Sequence, residues 1–267
     1  MAFELILTSG KCPPAFQTFC SGRHLDKCCP LYQFCQMCGR YTLTSSVDEL
    51  RALFAFEGAV PPLSHNYNIA PTQGVPIIRM ERDMRHFACV RWGLVPSWSK
   101  EVGPRPMFNA RAETVSVKPS FRNAFRRRRC LVPANGYFEW QPRGQAPKQP
   151  YYITVENNGL FAMAGIWEQW MNAEGSELDS LAIITAPVNK ALSYIHDRMP
   201  VMISEDAFDL WLDTDERTTS AALSLLKTPA DSLLHAIPIS TRVNRTSHND
   251  PSVIEPLTRK GDQDLLF

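Results

Sequence analysis

Short apolar segments joined by tight turns constrain the fold of this chain more than any other feature of its sequence. Residues 75–80 and 85–92 have the apolar patterns of strands and are separated by a short charged turn. Residues 151–155 and 160–167 have the same character, and the Asn-Asn-Gly segment at 157–159 between them is typical of a tight hairpin turn. Since strands joined by such turns run antiparallel, the pattern predicts a mostly antiparallel sheet.

The predicted helices are clustered and do not alternate one by one with these strands. Ser46-Val47-Asp48-Glu49 has the pattern of a capping box and predicts the start of a helix. Further helices are expected at 119–127, 187–195, 204–213 and 217–227, and further strands at 181–185 and 234–239. Turn-forming residues predict irregular segments at 60–71, 142–149 and 171–178. Together these elements predict an α+β fold in a single domain.

The first 37 residues differ in composition from the rest of the chain. They contain five of the eight cysteines, namely Cys12, Cys20, Cys28, Cys29 and Cys35. A small zinc element that also uses His24 is one interpretation, but the spacings match none of the paired Cys-x2-Cys patterns of zinc ribbons. We therefore expect residues 1–37 to be a disordered leader, a segment that is removed, or sequence upstream of the true start.

Composition restricts the functional classes only loosely. The formal net charge of +1 neither indicates nor excludes nucleic-acid binding. No run of 18 apolar residues and no secretory signal is recognisable, so no membrane association is expected. The sparse cysteines after residue 37 suit a reducing cytoplasm, which is the predicted location. Residues 258–267 form a short polar tail without an obvious partner-binding motif, so no obligatory protein partner is expected.

The segment Met37-Cys38-Gly39-Arg40-Tyr41 looks like the beginning of a protein inside a longer chain. If translation starts at Met37 and this methionine is then removed, Cys38 becomes the N-terminal residue. It then carries two nucleophiles, a thiol and an α-amine. The other interpretation of Cys38 is a buried small hydrophobic residue, which a free cysteine often is. In the chain as written, 37 residues precede Cys38, so its nitrogen is an amide.

Seven short clusters of polar and aromatic residues interrupt the local periodicity. In chain order they are Cys38–Tyr41, Tyr67–Pro71, Trp92–Trp98, Phe108–Glu113, Asn135–Trp140, Ile195–Pro200 and Thr241–Asn244. Taken together and in this order, they resemble the SRAP family, the SOS response-associated peptidases or abasic-site processing proteins. The resemblance runs from about Met37 to Leu257, and it implies an SRAP domain over 38–257 with a curved, barrel-like sheet flanked by helices.

The resemblance also implies a function in the DNA damage response. The protein would bind single-stranded DNA, crosslink to abasic sites through an N-terminal Cys38 and so shield the lesion, near the nucleoid when bound to DNA. The α-amine would condense with the sugar aldehyde to an imine, and the thiol would close the ring to a thiazolidine. At pH 7.4 roughly a quarter of an α-amine is neutral, against about 0.1% of a lysine amine. No metal or cofactor is expected.

Three further residues are catalytic candidates by the same resemblance. Glu139 lies among Tyr137, Phe138 and Trp140, an apolar setting that raises the pKa of a carboxyl and suits it to proton transfer. His196 would protonate the sugar ring oxygen, with Asp197 fixing its tautomer. Asn109 would hold the cysteine amine or a sugar oxygen. The other interpretations are a solvent-facing glutamate, a histidine at a helix C-terminus and a turn asparagine.

Arginines near these candidates are expected to contact the DNA backbone, because a guanidinium matches phosphate geometry. They are Arg40, Arg111 and Arg198, the last with pairing to Asp197 as an alternative. Trp98 and Pro71 are expected to stack on or wedge between flanking bases, and the same role is the alternative to a core position for Trp92. Trp92, Cys89 and Cys130 fit core positions. The run Arg126–Arg129 is either part of a phosphate-binding face or the solvated end of a helix.

Two other functions remain open at this point. In a cysteine peptidase, the Cys38 thiol would be the nucleophile, His196 the base, and Glu139 or Asn109 the orienting group. Such an enzyme needs no free amine, and it would expose Cys38 if it cleaved the Met37–Cys38 bond of its own chain. A noncovalent reader of single-stranded or modified DNA is the third possibility.

Overall fold

The computed structural model describes residues 38–104 and 106–257, and the structural statements below refer to this part of the chain. The predicted leader at 1–37, with its possible zinc element, and the polar tail at 258–267 lie outside the described residues. In the described part, no helix is long and apolar enough to cross a bilayer.

In addition to short 3-10 helices, the described residues form thirteen strands and four α-helices. In chain order these are β1 (Tyr41–Leu43), α1 (Val47–Phe54), β2 (Asn66–Ile69), β3 (Gly74–Glu81), β4 (Met84–Trp92), β5 (Asn109–Arg111), α2 (Arg122–Arg127), β6 (Arg129–Ala134), β7 (Gly136–Arg143), β8 (Ala146–Thr154), β9 (Phe161–Met171), β10 (Glu177–Pro187), β11 (Arg198–Pro200), β12 (Met202–Ile203), α3 (Phe208–Leu212), α4 (Thr219–Ser224) and β13 (His235–Pro238). The predicted α+β class is confirmed.

Five long strands close into a barrel. The ring runs β3–β4–β10–β9–β6 and returns to β3, with four antiparallel pairs and one parallel pair, between β4 and β10. The close approach of β6 and β9 requires a glycine, because a Cβ on Gly165 would lie 2.7 Å from the Cys130 sulfur. The main hydrophobic core includes barrel side chains such as Ile77, Val132 and Ile184. The barrel-like sheet implied by the family resemblance is therefore confirmed.

A second sheet carries the beginning of the described chain. Its strand order is β13-β8-β7-β1-β2, and a smaller core that includes Phe138, Tyr152 and Val243 packs against it. Strand β1 is antiparallel to β7, with Tyr41 opposite Tyr137. This pairing brings the residues just before β1 next to the middle of β7.

Some predicted elements are confirmed and others are shorter than expected. Helix α1 begins at a Ser46 cap with the reciprocal Glu49 contact of a capping box. Strands β3 and β4 form the predicted hairpin. Helices α2, α3 and α4 cover only parts of the predicted ranges, and the Ser204 side chain makes no capping hydrogen bond. Strand β2 lies in the passage that was expected to be irregular.

The predicted hairpin between 151–155 and 160–167 is wrong. Strand β8 pairs with β7 and β13, whereas β9 pairs with β6, β10 and β12. Asn157 and Asn158 adopt left-handed conformations, with φ of 56° and 52°, in a turn that leads from one sheet to the other. The turn residues set the local reversal, but long-range pairing decides which strands meet. Residues 142–149, expected to be a loop, belong mainly to the β7–β8 hairpin.

The predicted helix at 187–195 is also wrong, since residues 188–197 form a loop. The Asn189 side-chain oxygen accepts a hydrogen bond from Leu192 N, a local contact that competes with helical hydrogen bonding. Val188 N donates to Asp197 O at 3.0 Å and closes the base of the loop. Leu192 and Ile195 anchor it in the core.

Candidate active site

Cys38 lies just before β1 and is buried, with 4% of its surface exposed. Its backbone nitrogen donates to Glu139 Oε1 at 2.6 Å, and its sulfur lies 4.0 Å from the carbonyl oxygen of Arg198. Its φ of 41° is in the left-handed region, which is uncommon for a residue with a side chain. The predicted nucleophile therefore faces one predicted acid–base group directly.

Glu139 lies in the middle of β7 and is buried, which excludes the solvent-facing interpretation. Its Oε1 accepts from Cys38, whereas its buried Oε2 has no hydrogen-bond partner among the described residues. Burial raises the pKa of Glu139 to about 8, and the contacts from Cys38 oppose this shift. A carboxyl with such a pKa exchanges protons readily near neutral pH.

The thiol of Cys38 is held in its protonated form. Burial raises its pKa well above the ordinary value, and the neighbouring Glu139 carboxylate raises it further, while Arg198 lowers it. A thiol needs to lose its proton to attack. Glu139 is the adjacent group that can accept it.

Arg198, the first residue of β11, is buried and paired with Glu113. Its guanidinium donates to both carboxylate oxygens of Glu113 and also to the Thr185 carbonyl. The partner is Glu113, so the alternative pairing with Asp197 is wrong. Because the predicted role in phosphate contact would require displacing Glu113, the arrangement favours a structural role.

His196 lies one residue before the end of the loop 188–197 and is partly buried. Its Nδ1 accepts from Arg198 N at 3.1 Å and lies 2.9 Å from Asp197 Oδ1. Burial lowers the pKa of His196, opposed by Asp197. No helix ends at this residue, so the helix-terminus interpretation is wrong.

Asn109 and Arg111 lie at the two ends of β5, which is parallel to β10. Phe108, the residue before Asn109, has a ring atom 3.9 Å from the position that a Cβ on Gly39 would occupy. The Asn109 segment therefore lies next to the Cys38 segment. Arg111 is exposed at the other end of the strand.

Arg40 joins β1 to the C-terminal part of the domain. Its guanidinium donates to Asn68 Oδ1 at 2.8 Å and to the carbonyls of Val243 and Asn244 at 2.9 and 3.3 Å. Asn68 in turn donates to the carbonyls of Val243, Arg245 and His248. This network joins the first, second and last of the seven sequence clusters in the structure. It gives Arg40 and Asn68 a structural role that the sequence did not reveal.

The two residues expected to contact bases lie at the surface. Trp98 is 64% exposed in a turn after β4, and Pro71 is partly exposed in the turn after β2. Trp92 is fully buried, as predicted, and donates from its indole nitrogen to Phe108 O. Cys130 is buried as predicted, whereas Cys89 is exposed, so its predicted core position is wrong.

The arginine run Arg126–Arg129, which begins in the last turn of α2, is largely engaged in intramolecular contacts. Arg127 pairs with Glu216 and Arg128 with Glu168. Arg129 is buried and donates to backbone carbonyls. These contacts argue against a phosphate-binding face formed by the whole run.

Glu113 was not among the functional residues predicted from the sequence, although it ends the cluster Phe108–Glu113. Its carboxylate fixes Arg198, whose backbone contacts Cys38. The sequence signal for Glu113 is its position as a carboxylate at the end of a cluster that already contains a candidate residue. Within the described residues, no group of three or more His, Cys, Asp and Glu side chains is arranged to hold a metal ion.

The comparisons with known proteins point to one family. Residues 37–246 match the family model described as SOS response associated peptidase (SRAP). The chain is 36% identical over 223 residues to the abasic site processing protein YoqW of Bacillus subtilis (strain 168), covering 82% of this chain and 99% of that protein. It is 32% identical over 260 residues to the abasic site processing protein HMCES of Xenopus tropicalis, covering 80% and 77%, respectively.

The fold is also shared with solved structures. A crystal structure of a protein from Bacteroides thetaiotaomicron has a TM-score of 0.74 and 30% sequence identity to this chain, covering 83% of this chain and all of that one. Since the family model spans most of the chain and several relatives exceed 30% identity, the chain belongs to the SOS response associated peptidase (SRAP) family.

Proposed function

We propose that this protein processes abasic sites in DNA, and that it does so by linking Cys38 covalently to the lesion in a single strand. The observation that carries the proposal is the 2.6 Å contact between the Cys38 nitrogen and a buried Glu139 with a raised pKa. The names of the relatives YoqW and HMCES support abasic sites as the target. The reaction requires Cys38 at the N-terminus, because the amide nitrogen of an internal cysteine cannot form an imine, whereas a free α-amine can.

The proposed reaction has two bond-forming steps. The neutral α-amine adds to the C1′ aldehyde of the ring-opened sugar, and loss of one water gives an imine. The thiol then adds across the C=N bond, so that a C–S bond forms and the thiol proton ends on nitrogen in a thiazolidine. Glu139 lies beside the nitrogen and accepts and returns these protons.

The remaining candidates act around this centre. His196 protonates the ring oxygen of the closed sugar and so promotes opening to the aldehyde. Asn109 holds the amine or a sugar oxygen. Arg111 and Arg40 contribute positive charge for the DNA backbone, and Trp98 and Pro71 contact the bases that flank the lesion.

Autoproteolysis is a second candidate, favoured by the same contact. The Cys38 sulfur would attack the Met37 carbonyl, and a thioester would form as the Met37–Cys38 bond breaks, with Glu139 protonating the departing nitrogen. Water would then release the leader as a carboxylate and regenerate the thiol. This reaction would convert the chain as written into the form with a free α-amine.

The test uses a chain that begins at Cys38 and a single-stranded oligonucleotide with one abasic site. We expect an adduct that survives heat and denaturing electrophoresis, with an intact mass equal to the sum of both components less one water. Cys89→Ala, which removes an exposed thiol elsewhere, serves as the matched control and should leave the adduct unchanged.

Two modified proteins separate the proposed functions. Cys38→Ala retains the α-amine but lacks the thiol, so its adduct should need borohydride reduction to survive. Acetylating the α-amine should abolish crosslinking but leave any thiol-dependent peptidase activity intact. An unreduced, heat-stable Cys38→Ala adduct would contradict the thiazolidine, and retention of DNA in native gels alone would indicate a noncovalent reader.

A further inference from the structure

We infer that Gln141 is a positioning residue that braces the His196 loop against the strand that carries Glu139. The functional part of this inference, an effect on crosslinking, rests on the proposed function. The structural part concerns the environment of His196 and stands on the contacts alone.

The brace consists of Gln141, Tyr151 and Tyr194. The Gln141 amide nitrogen donates to the Tyr194 carbonyl at 3.1 Å, and the Gln141 amide oxygen accepts from the Tyr151 hydroxyl at 3.3 Å. The rings of Tyr151 and Tyr194 meet edge to face, with centroids 5.8 Å apart and an interplanar angle of 87°. One side chain therefore uses both ends of its amide to join two strands to the loop.

The placement of these residues links the two acid–base candidates. Gln141 follows Glu139 by two positions on β7, and Tyr151 lies directly opposite Glu139 on β8. Tyr194 precedes His196 by two positions in the loop. The brace therefore fixes the part of the loop that carries His196 relative to the strand that carries Glu139.

The other side of the loop has its own anchors. The Asn189 amide donates to the carbonyls of Pro229 and Ala230 at 3.4 Å, and Ala191 N donates to Asp231 at 3.3 Å. These contacts lie at the start of the loop, away from His196 in sequence. The second half of the loop is also held by the buried Ile195 side chain and by the hydrogen bond from Val188 N to Asp197 O at its base. The Gln141 contact adds a restraint on its surface side, next to the site.

The expected consequence is a loss of geometry at His196. A catalytic group displaced by about 1 Å can slow a reaction by about 100-fold, so a partial loss of restraint is expected to have a smaller effect. His196 faces Asp197, Arg198 and the charge of Lys148, and burial is the main influence on its imidazole. A looser loop would expose the ring to water and move its pKa back towards the ordinary value.

The test compares Gln141→Leu, which removes both hydrogen bonds, with Tyr151→Phe, which removes one and keeps the ring contact. Gln169→Leu is the matched control, because Gln169 makes a comparable exposed contact to Glu177 on the barrel. The His196 titration is followed by NMR in the full chain, with His196→Gln to assign the signal. The crosslinking rate is measured in the chain that begins at Cys38.

We expect Gln141→Leu to raise the pKa of His196 and to slow crosslinking roughly tenfold, with Tyr151→Phe giving smaller changes in the same direction. Gln169→Leu should change neither. An unchanged His196 titration in Gln141→Leu, or an equal effect of Gln169→Leu, would overturn the inference. If the unmodified protein forms no adduct, the proposed function fails, but the titration still decides whether the brace exists.

Discussion

Two buried ionisable residues, Arg129 in the barrel and Glu139 in the second sheet, have opposite hydrogen-bonding environments. Each is 1% exposed. The Arg129 guanidinium donates to the backbone carbonyls of Trp211, Phe125 and Asp213. Among the described residues, Glu139 accepts from a single backbone nitrogen, that of Cys38, and its other carboxylate oxygen has no hydrogen-bond partner.

The contrast in hydrogen bonding indicates that Arg129 stabilises the fold, whereas Glu139 is placed for proton transfer. A buried polar group without a partner costs about 1–3 kcal/mol, so an arrangement such as that of Glu139 is not expected for stability alone. The left-handed backbone at Cys38 adds to this local strain. Burial lowers the pKa of Arg129 to about 10, which leaves it charged at neutral pH.

The largest expected effect is on activity, at Glu139. Glu139→Gln keeps the size of the side chain and an oxygen that accepts from Cys38, but it cannot transfer protons. We expect the crosslinking rate of the chain that begins at Cys38 to fall by about 100-fold or more. Single-turnover kinetics on an abasic oligonucleotide measure this, and a change below threefold would remove Glu139 from the mechanism.

The next effect is on stability, at Arg129. Arg129→Met leaves the carbonyls of Phe125 and Trp211 without their guanidinium donor, while the Asp213 carbonyl keeps its hydrogen bond from the Thr218 hydroxyl. We expect the free energy of unfolding to fall by about 3 kcal/mol. The crosslinking rate per folded molecule should stay within about twofold. Denaturant titration together with the kinetic assay checks this. A stable but inactive Arg129→Met protein would contradict the assignment of Arg129 to the stability of the fold and not to the reaction.

A third effect follows from the raised pKa of Glu139, about 8 when folded against an ordinary 4.5. Between these values the folded protein binds more protons than the unfolded chain, so the stability of the full chain should decline as pH rises. Between pH 6 and pH 8, Glu139 should lower the free energy of unfolding by ~2 kcal/mol, and Glu139→Gln should lack this decline. Denaturant titrations at both pH values measure the difference, and parallel pH dependences of the two proteins would contradict the buried carboxyl.

The smallest effect tests whether Arg198 belongs to the fold or to the DNA surface. Arg198→Lys keeps the charge but loses the two-pronged contact with Glu113, so we expect a stability loss of about 1 kcal/mol. The salt dependence of DNA binding should not change. Arg111→Ala, by contrast, should reduce the slope of log affinity against log salt by about 0.7. If Arg198→Ala reduced this slope by the same amount, the result would support the sequence prediction that Arg198 contacts the DNA backbone.

The features predicted correctly from the sequence depend on neighbouring residues. The Ser46 capping box, the β3–β4 hairpin and the apolar surroundings of Glu139 are all encoded within a few positions. The grouping of Cys38 with Glu139 came from the family resemblance, since 101 positions separate them.

The wrong predictions concern contacts between distant segments. The Asn-Asn-Gly turn at 157–159 indicated a reversal, but it could not show that β8 and β9 belong to different sheets. Apolar spacing at 187–195 suggested a helix, and the Asn189 contact that competes with one becomes clear only in three dimensions. Likewise, the pairing of Arg198 with Glu113 joins residues 85 positions apart, beyond the reach of local patterns.

The central claim is that the α-amine of Cys38 is as necessary as its thiol. The most direct measurement compares the chain that begins at Cys38 with the 1–267 chain, whose leader is shown by intact mass to be uncleaved after the reaction. Both are incubated with the same single-stranded abasic oligonucleotide and resolved by denaturing electrophoresis. We predict a heat-stable adduct for the first protein and none for the second. A stable adduct of the uncleaved chain would contradict the claim.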